Sequence, residues 1–336
     1  MKLTGNHIGN EALARLAEKY RVPGIACCLI KEGCLLEPEV FGVKNVETGA
    51  LMEARTMFEA ASLTKTMFAV LVLRLVDLGV LTLDEPIARR APDVHITDDP
   101  RIDELTVRLI LSHASGLPNW ADKPLKFLFD PGKGFRYSGE GYYFLHKAIE
   151  SITGKSFVDH FRDEFFLPLH MENSAAIWDA SVGDRMSNKF DENGDMIPLR
   201  NHVDLAGNAP EPNAAWSLYS CAPDYAAFLL SLYKNKAGLS DGMFQEFTSG
   251  QNSADDCIAW GLGVGIPKRE PSVVWHWGDN GGYRSFAVID LNTGDGASIF
   301  CNSFGGTDLC LELLAGCTDS TFWDGIGRFL ETAEAE

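Results

Sequence analysis

The alternation of apolar and polar residues predicts strands at both ends of the chain. An amphipathic helix is predicted over residues 11–18. The apolar run at 22–30 then indicates a strand, and Gly33 marks the turn to a hairpin partner over 34–42. Near the other end, a last helix is predicted over 309–332. Four further strands precede that helix, over residues 259–264, 272–276, 283–290 and 296–301.

Between these ends, short helical patterns alternate with long polar loops. The most apolar helix is predicted from Ser62 to Val80, and apolar side chains lie on nearly all of its sides. A helix with that pattern is expected to be buried, with Ser62 at its start. Shorter helices are predicted over residues 107–112, 141–152 and 223–234.

Strands at both ends with helices between them favour one sheet that both chain ends share. We therefore expect a single catalytic domain over residues 5–332, of the α/β (α+β) class, with an antiparallel sheet flanked by helices. Its α/β lobe is expected to comprise about residues 5–62 and 256–332. An inserted, mainly helical lobe is expected over about residues 63–255.

Composition and charge narrow the classes of function. The chain has 336 residues, of which 46% are hydrophobic and 23% charged, so it can bury a core without metals or disulfides. Its net charge of -18 would repel a nucleic-acid backbone or an anionic membrane surface, and neither is expected as a partner. The eight cysteines include no C-x-x-C pair and the histidines no H-E-x-x-H motif. No disulfide framework, metal site or cofactor is therefore predicted.

The sequence also shows neither an export signal nor a membrane span. Residues 1–20 lack an apolar run between a basic flank and a small-residue cleavage site. The most apolar segment, 68–80, is interrupted by Arg74 and Asp77 and is too short to cross a bilayer. A cytoplasmic location is therefore expected.

A candidate nucleophile lies at the start of the apolar helix. Ser62 and Lys65 are three residues apart, which makes them neighbours on one face of a helix. Serine is a weak nucleophile unless a base takes its proton, and lysine is such a base only when burial or nearby positive charge keeps its amine neutral. The spacing alone is a weak signal, because about one S-x-x-K is expected by chance in a chain of this length. Ser231 and Lys234 also show it, but inside an amphipathic helix, where a solvated serine and a surface lysine are the ordinary interpretation.

Two further motifs follow in order: Phe135-Arg-Tyr-Ser-Gly in the middle of the chain and Trp275-His-Trp-Gly-Asp near its end. With these, the sequence resembles the serine β-lactamase and penicillin-binding-protein family. The resemblance is to the class C β-lactamase-like branch, which also contains esterases, D-amino-acid peptidases and amidases. It covers nearly the whole chain. Other matching segments are Val22-Pro-Gly-Ile, Thr56-Met-Phe-Glu-Ala-Ala-Ser-Leu-Thr-Lys, Leu81-Thr-Leu-Asp, Leu111-Ser-His-Ala-Ser-Gly-Leu-Pro and Trp260-Gly-Leu-Gly.

The resemblance implies roles for individual residues. Ser62 would be the acylated nucleophile, and Lys65 would share or accept its proton. Tyr137 would be the second acid/base, and the positive charge of Lys65 would be needed to make its phenolate useful at neutral pH. The backbone N–H groups of Ser62 and Asp279 would form the oxyanion hole. His276 would be a further catalytic residue, on a strand that lines the pocket opposite the nucleophile.

The third motif, His276-Trp-Gly, stands where the family carries Lys-Thr-Gly or, in esterase-like members, His-x-Gly. His7-Ile-Gly has the same spacing, so the assignment depends on the late position of His276 before a Gly-rich turn. The resemblance also implies substrate contacts, made by Trp277, Gly278, Gly139 and Trp120.

Structural alternatives stay open for several of these residues. Without its flanking motifs Tyr137 would more simply be a half-buried loop tyrosine, and His276 is also consistent with a satisfied core histidine. His113 more simply fixes a turn than takes part in catalysis. Arg284 is most simply a structural salt bridge, and Trp120 an ordinary loop aromatic.

Two departures from the lactamase pattern change the expected substrate. Gly139 stands where lactamases carry an Asn that binds the substrate's side-chain amide. His276, which is only fractionally charged near neutral pH, replaces a permanent Lys cation that faces the drug's carboxylate. A small-molecule ester or amide is therefore favoured over a lactam as the substrate.

Three functions remain open. The leading hypothesis is an esterase or D-amino-acid amidase or peptidase-like enzyme that acts through an acyl-serine. The others are a class C-like β-lactamase and a penicillin-binding or sensor module without turnover. The pocket walls that decide among substrates are expected in the loops 118–135 and 180–222.

Overall fold

The computed structural model describes residues 1–121, 124–199 and 211–335. Its strands are, in chain order, β1 (Gly24–Lys31), β2 (Cys34–Leu35), β3 (Glu39–Asn45), β4 (Ala50–Leu51), β5 (Phe58–Glu59), β6 (Lys189–Phe190), β7 (Met196–Ile197), β8 (Tyr219–Ser220), β9 (Asn252–Ser253), β10 (Ile258–Trp260), β11 (Gly265–Pro267), β12 (Val273–Asp279), β13 (Arg284–Asp290) and β14 (Gly296–Cys301). Its α-helices are α1 (Asn10–Tyr20), α2 (Leu63–Asp77), α3 (Val107–Leu111), α4 (Gly139–Thr153), α5 (Phe157–Phe161), α6 (Ala180–Gly183), α7 (Ala222–Asn235), α8 (Asp241–Thr248), α9 (Gly306–Cys317) and α10 (Trp323–Ala335).

One antiparallel sheet dominates the structure. Its strands follow the spatial order β4-β3-β1-β14-β13-β12-β11-β10-β9, and β2 pairs with β1. Because β1 pairs antiparallel with β14, in a register that sets Ile25 opposite Cys301, both ends of the chain contribute central strands. The prediction of an antiparallel sheet formed by both chain ends and flanked by helices is therefore confirmed.

Helices cover both faces of this sheet, because its strands send alternate apolar side chains into two cores. In β1, Ala26 and Cys28 belong to the core that contains the apolar residues of α2 and α7. Ile25 and Cys27 belong to the other core, with the apolar residues of α1, α9 and α10. Within the described ranges, no helix is both long and apolar enough to cross a membrane.

The apolar helix predicted from Ser62 is α2, and every side chain from Leu63 to Leu73 is buried. It packs against β12 and β13. The predicted burial of this helix is therefore confirmed. The helix ends at Asp77, before the predicted Val80, because Gly79 adopts the left-handed conformation, with φ 73°.

Several predicted elements are split in the structure. The strand expected over 259–264 is the hairpin of β10 and β11, which turns where Gly263 has φ 101°. The last helix is two helices, because Thr318 is extended and its hydroxyl donates back to the Leu314 carbonyl at 2.7 Å. The hairpin partner of β1 is divided into β2 and β3 around Pro38, which has no N–H to donate. The pairs β5–β8 and β6–β7 were not predicted, because strands of two residues leave no periodic pattern.

Candidate active site

Ser62 lies in a strained turn between β5 and α2. The preceding residue, Ala61, has φ 50°, which is uncommon for a residue with a Cβ atom. Two hydrogen bonds hold the turn: the Ala60 N–H donates to the Leu218 carbonyl at 2.8 Å, and the Ser285 hydroxyl donates to the Ala60 carbonyl at 3.0 Å. Ser62 itself is half-buried, so its side chain keeps access to solvent.

Lys65 lies one turn along α2 and is completely buried. Its Nζ is 3.0 Å from Ser62 Oγ and 2.8 Å from the Ala215 carbonyl oxygen. Within the described part of the chain, no carboxylate forms an ion pair with this amine, and burial lowers its pKa well below the usual range. A neutral Lys65 can accept the Ser62 proton across the contact between Nζ and Oγ.

Tyr137 completes a compact group with Ser62 and Lys65. Its side chain is buried, and Lys65 Nζ is 4.8 Å from the centre of its ring. Burial raises the pKa of Tyr137, and the nearby Ser62 hydroxyl opposes that change only in part. The two hydroxyl groups are close without meeting hydrogen-bond geometry, and Tyr137 Oη has no hydrogen-bond partner among the described residues. The site therefore favours a neutral phenol beside a neutral amine, not the phenolate that a charged Lys65 would stabilise.

His113 holds the backbone on both sides of Tyr137. Its carbonyl accepts the Arg136 N–H at 2.9 Å, and its Nδ1 accepts the Ser138 N–H at 3.1 Å. Its own φ is 55°, and its ring lies 4.4 Å from the Tyr137 ring, centre to centre. Because a backbone N–H can only donate, the neutral ring carries its proton on Nε2. The expectation that His113 fixes a turn fits this geometry, and the turn is the one that carries Tyr137.

Replacing His113 by alanine is expected to lower kcat about 10²-fold, because small displacements of a reacting group have effects of this size. His113→Asn is expected to retain kcat within about tenfold of the wild type, because Asn Oδ1 can accept the Ser138 N–H in place of Nδ1. Steady-state kinetics on both variants, with thermal unfolding in parallel, measures this rescue. Equal losses of kcat in two folded variants would contradict the assigned positioning role.

His276 lies in β12 and is buried on the same side of the sheet as Lys65. Its Nδ1 is 2.7 Å from the Trp277 carbonyl oxygen, so Nδ1 carries the proton in the neutral ring. Nε2 has no partner within the described chain. Burial, assisted by the nearby Lys65, lowers the pKa of His276 to about 3. The fractional charge expected near neutral pH is thus replaced by an uncharged ring.

The glycine of the third motif allows close contact between β12 and the Ser62 turn. A Cβ atom at Gly278 would lie 2.4 Å from the Ala60 carbonyl oxygen and 2.3 Å from Ser285 Oγ. The next residue, Asp279, forms an ion pair with Arg284, as expected for a structural salt bridge. The end of β12 and the Ser62 turn are therefore adjacent. These two segments carry the backbone N–H groups of Asp279 and Ser62 that are expected to form the oxyanion hole.

A cavity of about 430 Å³ lies beside these segments. Both loops expected to form the pocket walls contribute to it, and residues 122, 123 and 200–210 of those loops lie outside the described residues. Its lining includes Glu59, Trp120, Lys189, Trp216, Asp279 and Asn280.

The structure separates the expected substrate contacts into two groups. Trp120 lines the cavity and is half exposed. Gly139 lies behind Trp120, because a Cβ atom at this position would be 2.6 Å from the indole ring. Trp277 is buried with its ring 4.7 Å from that of Tyr137, where it supports Tyr137 and does not line the cavity. A side chain at the lactamase Asn position would thus collide with Trp120.

The second S-x-x-K pair is not a site. Ser231 is buried, not solvated as expected, and its hydroxyl donates to the Phe228 carbonyl of its own helix at 2.7 Å. Lys234 is exposed to solvent, as is His7 of the second H-x-G sequence. Among the described residues, no group of three or more His, Cys, Asp or Glu side chains is arranged to bind a metal.

Sequence reasoning missed the polar floor of the cavity. Glu59 belongs to the matching segment that ends at Lys65, so its position before Ser62 was a usable signal. Asn280 directly follows the Trp275-His-Trp-Gly-Asp motif, which was also a usable signal, whereas Lys189 gave none, because only the folded chain brings it to Glu59.

The antiparallel sheet between helices, with Ser62, Lys65 and Tyr137 together at the start of α2, is the arrangement of the β-lactamase-like class of hydrolases. The chain belongs to the Beta-lactamase family: the family model of that name matches residues 10–313.

Solved structures with the same fold include an octameric penicillin-binding protein homologue from Pyrococcus abyssi (TM-score 0.77, 22% identity, covering 91% of this chain and 76% of that one). A class C beta-lactamase has a TM-score of 0.76 at 15% identity, with coverage of 93% and 96%. The D-amino acid amidase from Ochrobactrum anthropi SV3 has a TM-score of 0.72 at 22% identity, with coverage of 91% and 98%.

Similar proteins by sequence include Penicillin-binding protein 4 of Amycolatopsis lactamdurans. It is 26% identical over 231 residues, which are 62% of this chain and 56% of that protein. Protein flp of Staphylococcus aureus (strain COL) is 23% identical over 177 residues, 47% of this chain and 36% of that protein. The chain thus spans about half or less of the length of these relatives.

Proposed function

We propose that this protein is a serine hydrolase that cleaves a small ester or amide through an acyl-Ser62 intermediate, as an esterase or a D-amino-acid amidase or peptidase-like enzyme. The observation that carries the proposal is the 3.0 Å contact between Ser62 Oγ and the buried Nζ of Lys65. Because burial lowers the pKa of this lysine, its amine can act as a base at a lower pH than the amine of an exposed lysine.

In the proposed reaction, Ser62 Oγ attacks the substrate carbonyl carbon while Lys65 Nζ takes the hydroxyl proton. The oxyanion that forms accepts hydrogen bonds from the N–H groups of Ser62 and Asp279. Collapse of this intermediate breaks the bond to the leaving group, which receives its proton from Tyr137 Oη or from Lys65. Water then attacks the acyl-serine with the same groups as bases, which releases the acid and restores Ser62.

The geometry supports an ester or small amide over a lactam drug. His276 is uncharged at neutral pH, so it cannot supply the permanent cation that faces a drug's carboxylate. Gly139 has no side chain, and Trp120 occupies the space where one would stand. Neither difference affects the contact between Ser62 and Lys65, on which acyl transfer depends.

Intact-mass spectrometry under turnover tests the proposal. The enzyme is mixed with p-nitrophenyl butyrate, with D-alaninamide and with nitrocefin, and peptide mapping locates any adduct. A transient acyl adduct on Ser62, with kcat/KM for the ester at least about tenfold above that for nitrocefin, is expected. Higher efficiency with nitrocefin would assign a β-lactamase instead. An adduct that never turns over, or no adduct with any probe, would assign a binding or sensor module.

A further inference from the structure

A buried ion pair forms the floor of the cavity beside Ser62. Lys189 Nζ lies 3.2 Å from Glu59 Oε1, and the two side chains are only 5% and 7% exposed. Asn280 Nδ2 donates to Glu59 Oε2 at 2.8 Å. A buried ion pair is weak support for stability by itself, because desolvation of the two charges offsets their attraction. Its position on a cavity wall therefore calls for a functional explanation.

The ion pair is next to the proposed reaction centre. Glu59 is the last residue of β5 and precedes Ser62 by three positions. Asn280 directly follows Asp279, which lines the same cavity. The cavity is therefore lined by residues that adjoin both the Ser62 turn and the expected oxyanion donor Asp279, and this is where the acyl chain of a substrate on Ser62 would enter it.

The charges of the floor are balanced before any substrate binds. Glu59 is paired with Lys189, and Asp279 is paired with Arg284. A carboxylate placed there would approach the Glu59 and Asp279 carboxylates as well as the Lys189 ammonium, and a cation would approach Lys189 as well as those two carboxylates. Neither sign of charge gains a net partner in this cavity.

Hydrogen-bonding capacity is nevertheless left over. An ammonium has three N–H donors, and Glu59 is the hydrogen-bond partner that the described structure gives Lys189. Within the described residues, the Glu59 oxygens each accept one side-chain hydrogen bond, from Lys189 and Asn280, which leaves each a further lone pair. The floor thus offers donors and acceptors side by side, in a cavity that Trp120 and Trp216 also line.

We infer that the Glu59–Lys189 pair is a subsite for an uncharged carboxamide carried on the acyl chain of the substrate. The amide oxygen would accept from Lys189, the amide N–H would donate to Glu59, and the planar group would contact the tryptophans that line the same cavity, Trp120 and Trp216. This inference rests on the proposed function and specifies its substrate class: acyl donors with a terminal neutral amide.

The test uses p-nitrophenyl esters with three to five methylene groups in the acyl chain. The chain ends in a carboxamide, a methyl ketone, a carboxylate or an ammonium group, and rates without enzyme are subtracted. At the best length, kcat/KM for the carboxamide is expected to exceed that for the ketone about tenfold or more, because the ketone leaves the Glu59 acceptor without a donor. Both charged probes are expected to be poorer substrates than the carboxamide.

The double variant Glu59→Leu/Lys189→Met removes both members of the pair, so it leaves neither an unpaired buried charge nor an acceptor for the amide N–H. Its carboxamide-to-ketone ratio is expected to fall to within about threefold of one. Lys155→Met/Asp163→Asn is the matched control, because it removes a 2.9 Å ion pair that is more exposed, and its ratio should equal that of the wild type. The carboxamide-to-ketone ratio of each variant is measured on a single preparation. Unfolded protein lowers both rates by the same factor, so it does not change the ratio.

Several results would overturn the inference. A preference for the carboxylate would mean that Lys189 acts as an unbalanced cation, and a preference for the ammonium would give that role to Glu59. Equal rates for all wild-type probes, or an unchanged ratio in the double variant, would make the pair purely structural. Turnover of all probes without preference defeats this inference alone, whereas absence of Ser62-dependent turnover defeats the proposed function and this inference with it.

Discussion

Replacing Ser62 by alanine is expected to lower kcat/KM for p-nitrophenyl butyrate by about 10⁴-fold or more, because the variant lacks the atom that forms the acyl-enzyme. Lys65 and the backbone donors near Asp279 remain in place, so a small rate above the uncatalysed reaction should persist. The measurement is p-nitrophenolate release, with active protein quantified separately.

The loss should not come from unfolding. Ser62 is half-buried, and its side chain makes no capping hydrogen bond to α2, so its removal should change the free energy of unfolding by less than about 1 kcal/mol. Ser231→Ala is the matched control, because it alters the serine of the second S-x-x-K pair, whose hydroxyl donates to the Phe228 carbonyl within α7. Activity of Ser62→Ala within tenfold of the wild type would show that another residue is the nucleophile.

The main features of the fold could be predicted from the sequence because they rest on periodic burial. The long strands β12 to β14 and the helix α2 bury continuous apolar segments, which leave strong patterns. The two-residue strands β5 and β8 leave no pattern, yet their pairing fixes the segment just before Ser62. Local periodicity thus predicts the frame of the site but not the contacts that orient the nucleophile.

The candidate site likewise combines residues that local spacing could pair with residues that come from distant segments. Ser62 and Lys65 could be paired from spacing, because one helical turn places them together. Tyr137 and His276 came from the resemblance, since they reach the site from distant segments. The sequence identified Lys65 as a base that burial would have to keep neutral, and the structure buries it. His276 was expected to be fractionally charged, but burial in the folded chain makes its ring neutral.

Long-range polar contacts were the least predictable part. His113 was expected to fix a turn, but which turn depends on its two bonds around Tyr137. Lys189 lies 130 positions from Glu59, and an isolated lysine in a polar loop resembles any solvated lysine. Such pairs become visible only when the cavity that they line is formed.

Replacing Lys65 by methionine is expected to lower kcat by about 10³-fold or more, because the variant keeps an aliphatic chain of similar length but has no base for the Ser62 proton. Lys234→Met is the matched control and should be nearly silent, because Lys234 is exposed and lies on α7. If the control were the more damaging change, the second S-x-x-K pair would have to be the catalytic one.

The pH dependence of the unfolding free energy, compared between the wild type and Lys65→Met, tests whether Lys65 is neutral in the folded protein. A lysine whose pKa is lowered by folding binds fewer protons in the native than in the unfolded state, so stability rises with pH between the native pKa and about 10.4. The methionine variant lacks this contribution. The unfolding free energy of the wild type minus that of Lys65→Met should therefore become more positive from pH 6 to pH 9. A difference that is flat over this range would mean that Lys65 keeps its ordinary pKa in the folded protein and is charged, and a charged amine cannot be the base that activates Ser62.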